Sequence, residues 1–510
     1  MPSGWLSARG RVLSRLGLGI LSYVIAPELV DEAVGDGLAW EMRLRSLPSR
    51  LAVYFILGLC LFSGQAYGQV LRELTAGLDK ALGAAGWSLP STTALTAARR
   101  RIGEKPLESL FRRLCSPCSP GRSPWSHACG LLAVAWDGTG IDAAPSPASA
   151  AAFGRPGGGP PRARAGQAKK APGTAAHPQL RLVTLAACGT RALVDAAFGP
   201  ARGKGAGERE LARALLGSLR AGMLLLADRG FYSYGLWKAA AATGAQLLWR
   251  AQADMRLPPA RELPDGSWLA RVPDPRAALA RRHKNGKRRR HRSPLGPDTS
   301  PLPGITVRVI AFTVTVTADD GTPRTERYRL LTTLLDCRAA PAAELAAAYA
   351  RRWAAETGYA DLKTCLRGSR RTLRARDPAL ARQELWAYLA VYQAVRIIIC
   401  RAAASAGTDP GRVSFTAALH AARRSVRART PAALAAAEAE ILTQLNPLRP
   451  GRVYPRAAAK PISPYPSRTA RPGPISQHAT YTTTVTPPRP ATHAPPHQPK
   501  QPANHPPSPP

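Results

Sequence analysis

The chain has 510 residues and is strongly basic, because 71 Lys and Arg outnumber 32 Asp and Glu and give a net charge of +39 at pH 7. This length predicts about two or three domains. The charge argues against a free small-molecule enzyme and favours a polyanionic partner, most readily a nucleic acid. The eight Cys lack the spacing of a disulfide framework, so a reducing cytoplasm is the expected compartment.

Two apolar segments near the start of the chain bear on whether it enters a membrane. Residues 51–63 form the longest apolar run, which is too short to cross a bilayer. Residues 16–26 follow several arginines, as in a signal peptide, but no small-residue cleavage pattern comes after them. We therefore expect neither a membrane span nor secretion.

Residues 1–114 form the first predicted domain, which we expect to be all-helical because apolar residues recur at helical spacing over residues 51–82. A further helix is predicted after Ser91, its expected N-cap, and runs through Arg99, Arg100 and Arg101. Together with the glycine-containing turn before it, this helix is compatible with a helix-turn-helix that places the three arginines on DNA. A helical bundle with a solvated arginine face fits the same pattern.

Residues 115–129 are a predicted linker rich in Pro, Ser and Cys. Cys115, Cys118, His127 and Cys129 could hold zinc, because paired thiolates and an imidazole can form a tetrahedral site. The prolines in the same stretch favour a linker with incidental thiols instead.

The second predicted domain, residues 130–445, contains two short apolar strands that each end in an aspartate. Residues 131–136 lead to Asp137, and residues 223–227 lead to Asp228. Alternating, turn-punctuated runs from about residue 244 to 336 then predict a β-rich insertion. A strand-to-helix connection needs far fewer residues than the 128 that separate Asp228 from Glu356, which supports an inserted subdomain.

Two basic or unusual segments remain outside this pattern. Residues 281–292 hold eight Arg or Lys, among them Arg288, Arg289 and Arg290, and we expect a disordered loop that contacts DNA phosphates. Residues 446–510 are rich in Pro, Thr and His with almost nothing apolar to bury, which predicts a disordered Pro-rich tail. That tail is either a functional arm or a sequence accident such as a shifted reading frame.

The most informative segment is a helix predicted from residue 341 to about 365. Tyr349, Arg352, Glu356 and Lys363 fall on one narrow face of this helix at about 100° per residue. Such a face suits a helix that brings one acid to a metal while the cations and the phenol hold phosphates. A solvated helix with an ion pair between Arg352 and Glu356 explains the face as well.

The two strand-end aspartates favour the first explanation. A pair of divalent cations that cleaves a phosphodiester needs several carboxylate oxygens. Asp137, Asp228 and Glu356 would supply them. Each aspartate alone is more often a turn or helix cap, but the three carboxylates together in a basic chain predict a metal-dependent active site.

These residues also carry a family resemblance. Asp137-Gly138-Thr139, the run from Leu226 to Tyr232, and Tyr-x2-Arg-x3-Glu-x6-Lys from Tyr349 to Lys363 resemble bacterial DDE transposases of the insertion-sequence-four family. The likeness covers about residues 15–445. It implies an α/β ribonuclease-H-like catalytic core with a β-rich insertion, preceded by an all-helical N-terminal DNA-binding domain.

The resemblance also implies site residues and a reaction. Asp137, Asp228 and Glu356 would be the catalytic and metal-binding triad for Mg²⁺, with Mn²⁺ as a substitute. Tyr349, Arg352 and Lys363 would contact phosphates near the cleaved strand. The implied enzyme is a DNA transposase that cleaves insertion-sequence ends and transfers them into target DNA by cut and paste.

The expected partners follow from that reaction. They are double-stranded DNA, as the terminal inverted repeats and the target, and a second copy in a homodimer on DNA; the expected location is the bacterial cytoplasm, at the nucleoid. Two alternatives stay open from the sequence. One is a catalytically silent DNA-binding protein derived from a transposase, and the other is a structure-specific DNA nuclease with the same core.

Overall fold

The computed structural model describes residues 8–37, 47–119, 123–156, 177–203, 205–290, 300–317, 323–369, 371–427, 430–446, 452–453, 477–478 and 480–485. It contains a helical N-terminal region, a large mixed sheet and a group of C-terminal helices. The N-terminal helices are α1 (Ala8–Leu13), α2 (Pro27–Asp36), α3 (Ser49–Leu61), α4 (Tyr67–Thr75), α5 (Asp79–Ala84), α6 (Thr92–Ile102) and α7 (Lys105–Leu114), with a 3-10 turn at Gly19–Tyr23.

The strands of the sheet, with the helices between them, come after α7 in the chain. Its first half comprises β1 (His127–Ala128), β2 (Leu131–Asp142), α8 (Pro147–Phe153), β3 (Gln179–Ala187), β4 (Leu193–Pro200), α9 (Glu208–Ala214), β5 (Met223–Ala227), α10 (Tyr234–Ala241) and β6 (Gln246–Arg250). Its second half comprises β7 (Arg261–Glu262), β8 (Trp268–Pro273), α11 (Pro275–Arg290), β9 (Gly304–Thr317) and β10 (Pro323–Thr332). The later elements are α12 (Ala342–Ala350), α13 (Trp353–Ala360), a π-helical turn (Asp361–Leu366), α14 (Pro378–Ser405), α15 (Phe415–Ser425), α16 (Pro431–Ile441), β11 (Arg452–Val453), β12 (Gln477–His478) and β13 (Thr480–Val485).

The helical N-terminal region is confirmed, and its core is shared with the C-terminal helices. Every residue of α3 is buried, and one continuous apolar cluster joins α2 to α7 with α14, α15 and α16. Ser91 is the N-cap of α6, as expected, and accepts a hydrogen bond of 3.2 Å from the Ala94 N–H. The predicted boundary at residue 114 therefore does not separate two hydrophobic cores.

The sheet runs in the order β4-β3-β2-β5-β6-β10-β9-β8-β7. β5 lies parallel to β2 and to β6, whereas the other neighbouring pairs are antiparallel. The β-rich segment predicted from residue 244 is present, but its first strand, β6, belongs to the central sheet. β10 pairs with β6, so the inserted strands extend the same sheet.

Successive side chains along the central strands point to opposite faces of the sheet. Val134 and Trp136 point with Leu225 and Ala227 into a cluster covered by α9 and α10, while Ala135 points to the opposite face. That opposite face, which contains Leu224 and Leu226 as well, is covered by α12 and α13. Because side chains alternate along a strand, Asp137 continues the face of Ala135 and lies towards α12 and α13.

The segment at residues 281–292, predicted as a disordered loop, lies largely in α11. Asp274 caps this helix by accepting a hydrogen bond of 2.8 Å from the Arg276 N–H, and Pro275 occupies the first turn. The Ala, Leu, Arg and Lys that follow are strong helix formers, which explains the helix. Its side chains from residue 286 onwards, and residues 291–299 entirely, lie outside the described part of the chain.

The tail predicted to be disordered contains short strands in its described residues. β11 pairs with β12, and β13 adds to the outer edge of β9 with Thr480 opposite Thr317 and Val485 opposite Phe312. The sequence of β13, Thr-Tyr-Thr-Thr-Thr-Val, has high β-propensity. β8 pairs only with residues 304–309 of β9, so the rest of that edge is available to β13. These strands correct the prediction for residues 452–453, 477–478 and 480–485.

Sequence inspection did not identify α14 as a possible membrane-spanning helix. Of the described helices, α14 alone is long and apolar enough to cross a membrane. However, 78% of its most apolar window is buried inside the protein. It is a core helix around which the N-terminal helices pack.

Candidate active site

The two aspartates predicted at strand ends lie at the same level of the sheet. Asp228 directly follows β5, but β2 continues to Asp142, so Asp137 lies within its strand rather than at the predicted end. β2 and β5 are parallel neighbours with Ala135 paired to Leu226, and two residues further along each chain come Asp137 and Asp228. Parallel neighbours are about 4.8 Å apart, and residues with this spacing point to the same face. The register therefore brings both carboxylates to the face covered by α12 and α13.

Glu356 reaches this face from α13. The structure corrects the single helix predicted over residues 341–365, because α12 ends at Ala350 and α13 starts at Trp353. Arg351 in the intervening turn donates hydrogen bonds to the carbonyl of His127, at 2.6 Å, and to that of Pro124, at 3.3 Å. After this turn, α13 packs against β2 at Asp137, in the middle of the strand.

Arg352 stands between two of the predicted catalytic carboxylates. Its Nη1 is 3.7 Å from Asp137 Oδ1, and its Nη2 is 3.3 Å from Glu356 Oε1. The Arg352 side chain is only 10% exposed, and its guanidinium lies 5.5 Å from the ring of Trp353. Without DNA, the single positive charge of Arg352 therefore offsets part of the negative charge of Asp137 and Glu356.

The carboxyl of Asp137 lies in a partly desolvated position. Burial raises its pKa to about 6, while the positive charge of Arg352 and the Gly138 N–H act in the opposite direction and Glu356 adds to the rise. A buried carboxylate with an elevated pKa beside a second carboxylate is typical of a functional site.

Asp228 is partly exposed but has one buried oxygen. Its Oδ1 has no hydrogen-bond partner among the described residues, and the nearest cation, Arg250 Nη1, is 3.9 Å away. Arg250 itself lies 4.4 Å from the ring of Tyr328. A buried carboxylate oxygen without a partner is expected to gain one when a ligand binds.

The remaining signature residues occupy different positions. Lys363 lies in the π-helical turn and donates a hydrogen bond of 3.1 Å to Thr139 Oγ1, two residues after Asp137 on β2. Tyr349 is only 6% exposed, and its hydroxyl is 3.5 Å from the Ala227 carbonyl oxygen. Tyr349 thus packs beneath the carboxylates, where its ring lies 6.0 Å from the guanidinium of Arg352.

The three arginines of α6 do not form one exposed row. Arg99 is 1% exposed and donates to Gln383 Oε1 at 3.1 Å and to the Leu380 carbonyl at 3.3 Å, so it holds α6 against α14 rather than facing DNA. Arg101 donates to the Leu47 carbonyl at 2.7 Å. Arg100 is exposed. The side chains of Arg288, Arg289 and Arg290 lie outside the described part of the chain.

The four candidate zinc ligands are not brought together. No three of Cys115, Cys118, His127 and Cys129, all of which are described, are placed to hold a metal ion. His127 Nδ1 lies 3.1 Å from the Ser123 carbonyl, and the Cys129 N–H donates to Glu344.

No group of three His, Cys, Asp or Glu side chains in the described part of the chain is arranged to hold a metal ion. At the predicted triad, the guanidinium of Arg352 separates Asp137 from Glu356. The donor set still suits a hard divalent cation, since it consists of carboxylate oxygens and includes the unpartnered Asp228 Oδ1.

Sequence reasoning missed Arg250 and Tyr359, which both contact the site. Arg250 ends β6, and the Tyr359 hydroxyl donates a hydrogen bond of 2.5 Å to the Asp137 carbonyl oxygen. Only the strand order and the packing of α13 bring these residues to the aspartates. The only indication in the sequence that Tyr359 lies near the site is its position three residues after Glu356.

Comparison with known proteins agrees with this geometry. Residues 15–112 match the family described as insertion element 4 transposase N-terminal, and residues 129–393, just over half of the chain, match the transposase DDE domain. The chain is 28% identical over 393 residues to transposase InsG for insertion sequence element IS4 of Escherichia coli strain K12, which covers 76% of this chain and 78% of that protein.

Two further proteins are similar. Putative transposase InsZ of Escherichia coli strain K12 is 27% identical over 195 residues, or 38% of this chain and 58% of that protein. A solved structure of the piggyBac transposase synaptic complex with hairpin DNA aligns with 82% of this chain and 80% of that chain, at 12% identity and a TM-score of 0.37. The domain matches and the identity to InsG identify the chain as a member of the insertion-sequence-four family of DDE transposases.

Proposed function

We propose that this transposase cleaves DNA at the ends of an insertion sequence and joins those ends to target DNA, using a divalent cation held by Asp137, Asp228 and Glu356. DDE transposase domains generally depend on a divalent metal ion. The observation that supports the triad most is the register of β2 and β5, which puts two aspartates side by side under α13. We further propose that the ion is Mg²⁺, with Mn²⁺ as a substitute.

We also propose that the catalytic core is ribonuclease-H-like. The supporting observation is the strand order: β4, β3 and β2 are antiparallel, and β5 and β6 follow parallel to β2. Helices cover both faces of these five strands. In this arrangement β7 to β10 form the insertion between Asp228 and Glu356.

The chain's own side chains bind and orient the DNA. Arg352 and Lys363 lie beside the triad and offset the charge of the phosphate that is cleaved. When a phosphate arrives, Arg352 exchanges its contacts with Asp137 and Glu356 for the phosphate oxygens, which releases both carboxylates. A divalent cation, when bound, supplies Lewis-acid polarisation of the phosphodiester.

The proposed partners are the terminal inverted repeats, the target DNA and a second copy of the chain in a homodimer on DNA. The net charge of +39 supports binding to a polyanion. Action on genomic DNA supports a location in the bacterial cytoplasm, at the nucleoid.

Cleavage by purified protein tests the metal requirement. With a labelled duplex that ends in the element's terminal repeat, we expect cleavage in Mg²⁺ or Mn²⁺, no cleavage in excess EDTA, and recovery when Mg²⁺ is restored. DNA binding in EDTA should stay within about threefold, because Lys and Arg contacts to phosphates dominate affinity.

A duplex with a scrambled terminal repeat and a branched duplex are the controls. Cleavage of the branched duplex regardless of terminal sequence would indicate a structure-specific nuclease instead. Binding without cleavage in either metal would indicate a silent DNA-binding protein.

A further inference from the structure

Tyr359 joins the helix that carries Glu356 to the strand that carries Asp137. It is buried, and its hydroxyl lies 2.5 Å from the Asp137 carbonyl oxygen and 2.9 Å from Thr184 Oγ1. A phenol has one hydrogen to donate, and a carbonyl oxygen can only accept. The Tyr359 O–H therefore donates to Asp137, and the Thr184 O–H donates to Tyr359.

The pairing of strands in the sheet places Thr184 where it contacts Tyr359. It is the direct cross-strand partner of Asp137 in the β2–β3 pair. The Tyr359 hydroxyl thus contacts both strands at the one level where Asp137 lies. A chain of two hydrogen bonds, from Thr184 through Tyr359 to Asp137, fixes α13 over this point of the sheet.

Among the described residues, three polar side chains contact β2 from the segment between Arg352 and the π-helical turn, and they differ in chemical type. Arg352 contacts the Asp137 carboxylate, and Lys363 contacts Thr139. Both are cations beside the catalytic face, so phosphate competes for them. The Tyr359 contact is neutral, buried and made to the backbone, so it persists when DNA binds.

The helix also packs closely against the core at this point. A Cβ atom added to Gly358 would lie 2.9 Å from the Tyr392 hydroxyl oxygen. Tyr392 in turn donates a hydrogen bond of 2.8 Å to the Arg191 carbonyl. With Tyr392 on one side and β2 on the other, α13 has little room to shift while Tyr359 is bonded.

We propose that Tyr359 is a positioning residue whose hydroxyl, supported by Thr184, sets the separation of Asp137 and Glu356 and thereby the affinity of the site for its divalent cation. The inference rests on the proposed function, because it takes these two carboxylates as ligands of one site. Tyr359 acts through Asp137 and touches neither the DNA nor the ion.

The test is the Tyr359→Phe variant of the full chain, which removes one hydroxyl and keeps the ring. Mn²⁺ binding is measured with the terminal-repeat duplex bound, from the electron paramagnetic resonance signal of free Mn²⁺, after subtraction of the Mn²⁺ that the duplex binds alone. We expect affinity to fall about tenfold, the size of effect seen when a group that orients a metal ligand is removed. The Mg²⁺ concentration for half-maximal end cleavage should rise by a similar factor, with the rate at saturating Mg²⁺ largely recovered.

Two further variants make the result specific. Tyr54→Phe is the matched control, because Tyr54 is also buried and donates to a carbonyl, that of Ile25 at 3.1 Å, but lies on α3. It should leave Mn²⁺ affinity unchanged. Thr184→Val should lower Mn²⁺ affinity as Tyr359→Phe does, but by a smaller factor. If Tyr359→Phe does not fold, the Thr184→Val measurement tests the proposal in its place.

The outcomes separate the positioning role from the proposed function. Unchanged Mn²⁺ affinity in folded Tyr359→Phe, with binding lost in Glu356→Gln, would overturn the positioning role and leave the triad intact. An equal loss of affinity in Tyr54→Phe would also overturn it, since the effect would then be general destabilisation. A wild-type protein–duplex complex that binds no more Mn²⁺ than the duplex alone would overturn both proposals.

Discussion

The Glu356→Gln variant is expected to lower end cleavage by about 10³-fold or more while DNA binding changes by less than about threefold. Gln has nearly the same shape as Glu but cannot supply a negatively charged oxygen to a divalent cation. Losing one such ligand removes several kcal/mol of transition-state stabilisation, and each 1.36 kcal/mol corresponds to a factor of about ten in rate. The contact from Arg352 Nη2 to the side-chain oxygen, at 3.3 Å, can persist with Gln.

Single-turnover cleavage and gel-shift titration of the same terminal-repeat duplex measure the two effects separately. Glu344→Gln is the control, because Glu344 lies on the neighbouring helix α12 and its role, accepting the Cys129 N–H, can be filled by Gln. We expect wild-type cleavage from it. Equal losses of binding and cleavage in Glu356→Gln would contradict the catalytic assignment, as would cleavage at the wild-type rate.

The second large effect concerns stability. Asp265→Ala is expected to lower the free energy of unfolding by about 3–5 kcal/mol, because it leaves a buried guanidinium without its counter-charge. Arg308 on β9 is completely buried and pairs with Asp265, and it also donates to Ser267 Oγ at 2.8 Å and to the Ala340 carbonyl at 2.6 Å. Asp265 accepts the Ala342 N–H at 2.9 Å, so the pair also fixes the start of α12.

Urea unfolding followed by tryptophan fluorescence measures this change, since the buried Trp268 lies in β8, close to Asp265 in the chain. Asp254→Ala removes the same charge from an exposed loop position and should change stability by less than about 0.5 kcal/mol. Indistinguishable unfolding curves for the two variants would show that the Arg308 ion pair contributes nothing specific.

Part of the candidate site could be predicted from local rules, because each aspartate directly follows an apolar run. Asp228 directly follows β5, whereas Asp137 lies inside β2, which continues to Asp142 because it pairs with β3 beyond the apolar run. The parallel register of β2 and β5 brings both aspartates to one level. The spacing from Tyr349 to Lys363 identified the helix that faces them, and the family is confirmed.

The interruption of that helix could not be predicted from periodicity, because Ala is the commonest residue in both α12 and α13 and the two arginines between them are good helix formers. It is accompanied by the hydrogen bonds of Arg351 to the carbonyls of His127 and Pro124, more than two hundred residues away in the chain. Tyr349, before the interruption, is buried, whereas Glu356, after it, is partly exposed.

Long-range partners also explain the error at Arg99. An arginine on a polar helix face is expected to be solvated, and only the fold brings Gln383 of α14 within hydrogen-bond distance of it. In the tail, the low apolar content of residues 446–510 concealed a short Thr-rich strand that needs only a free sheet edge to form.

Excision from a plasmid that carries the gene with its native flanking DNA tests most directly whether the carboxylates of Asp137 and Asp228 catalyse transposition. Amplification across the flanking DNA, with the intact protein and with Asp228→Ala, reports loss of the segment. We expect the shortened product with the intact protein and none with Asp228→Ala. The shortened product from both proteins, or from neither, would contradict it.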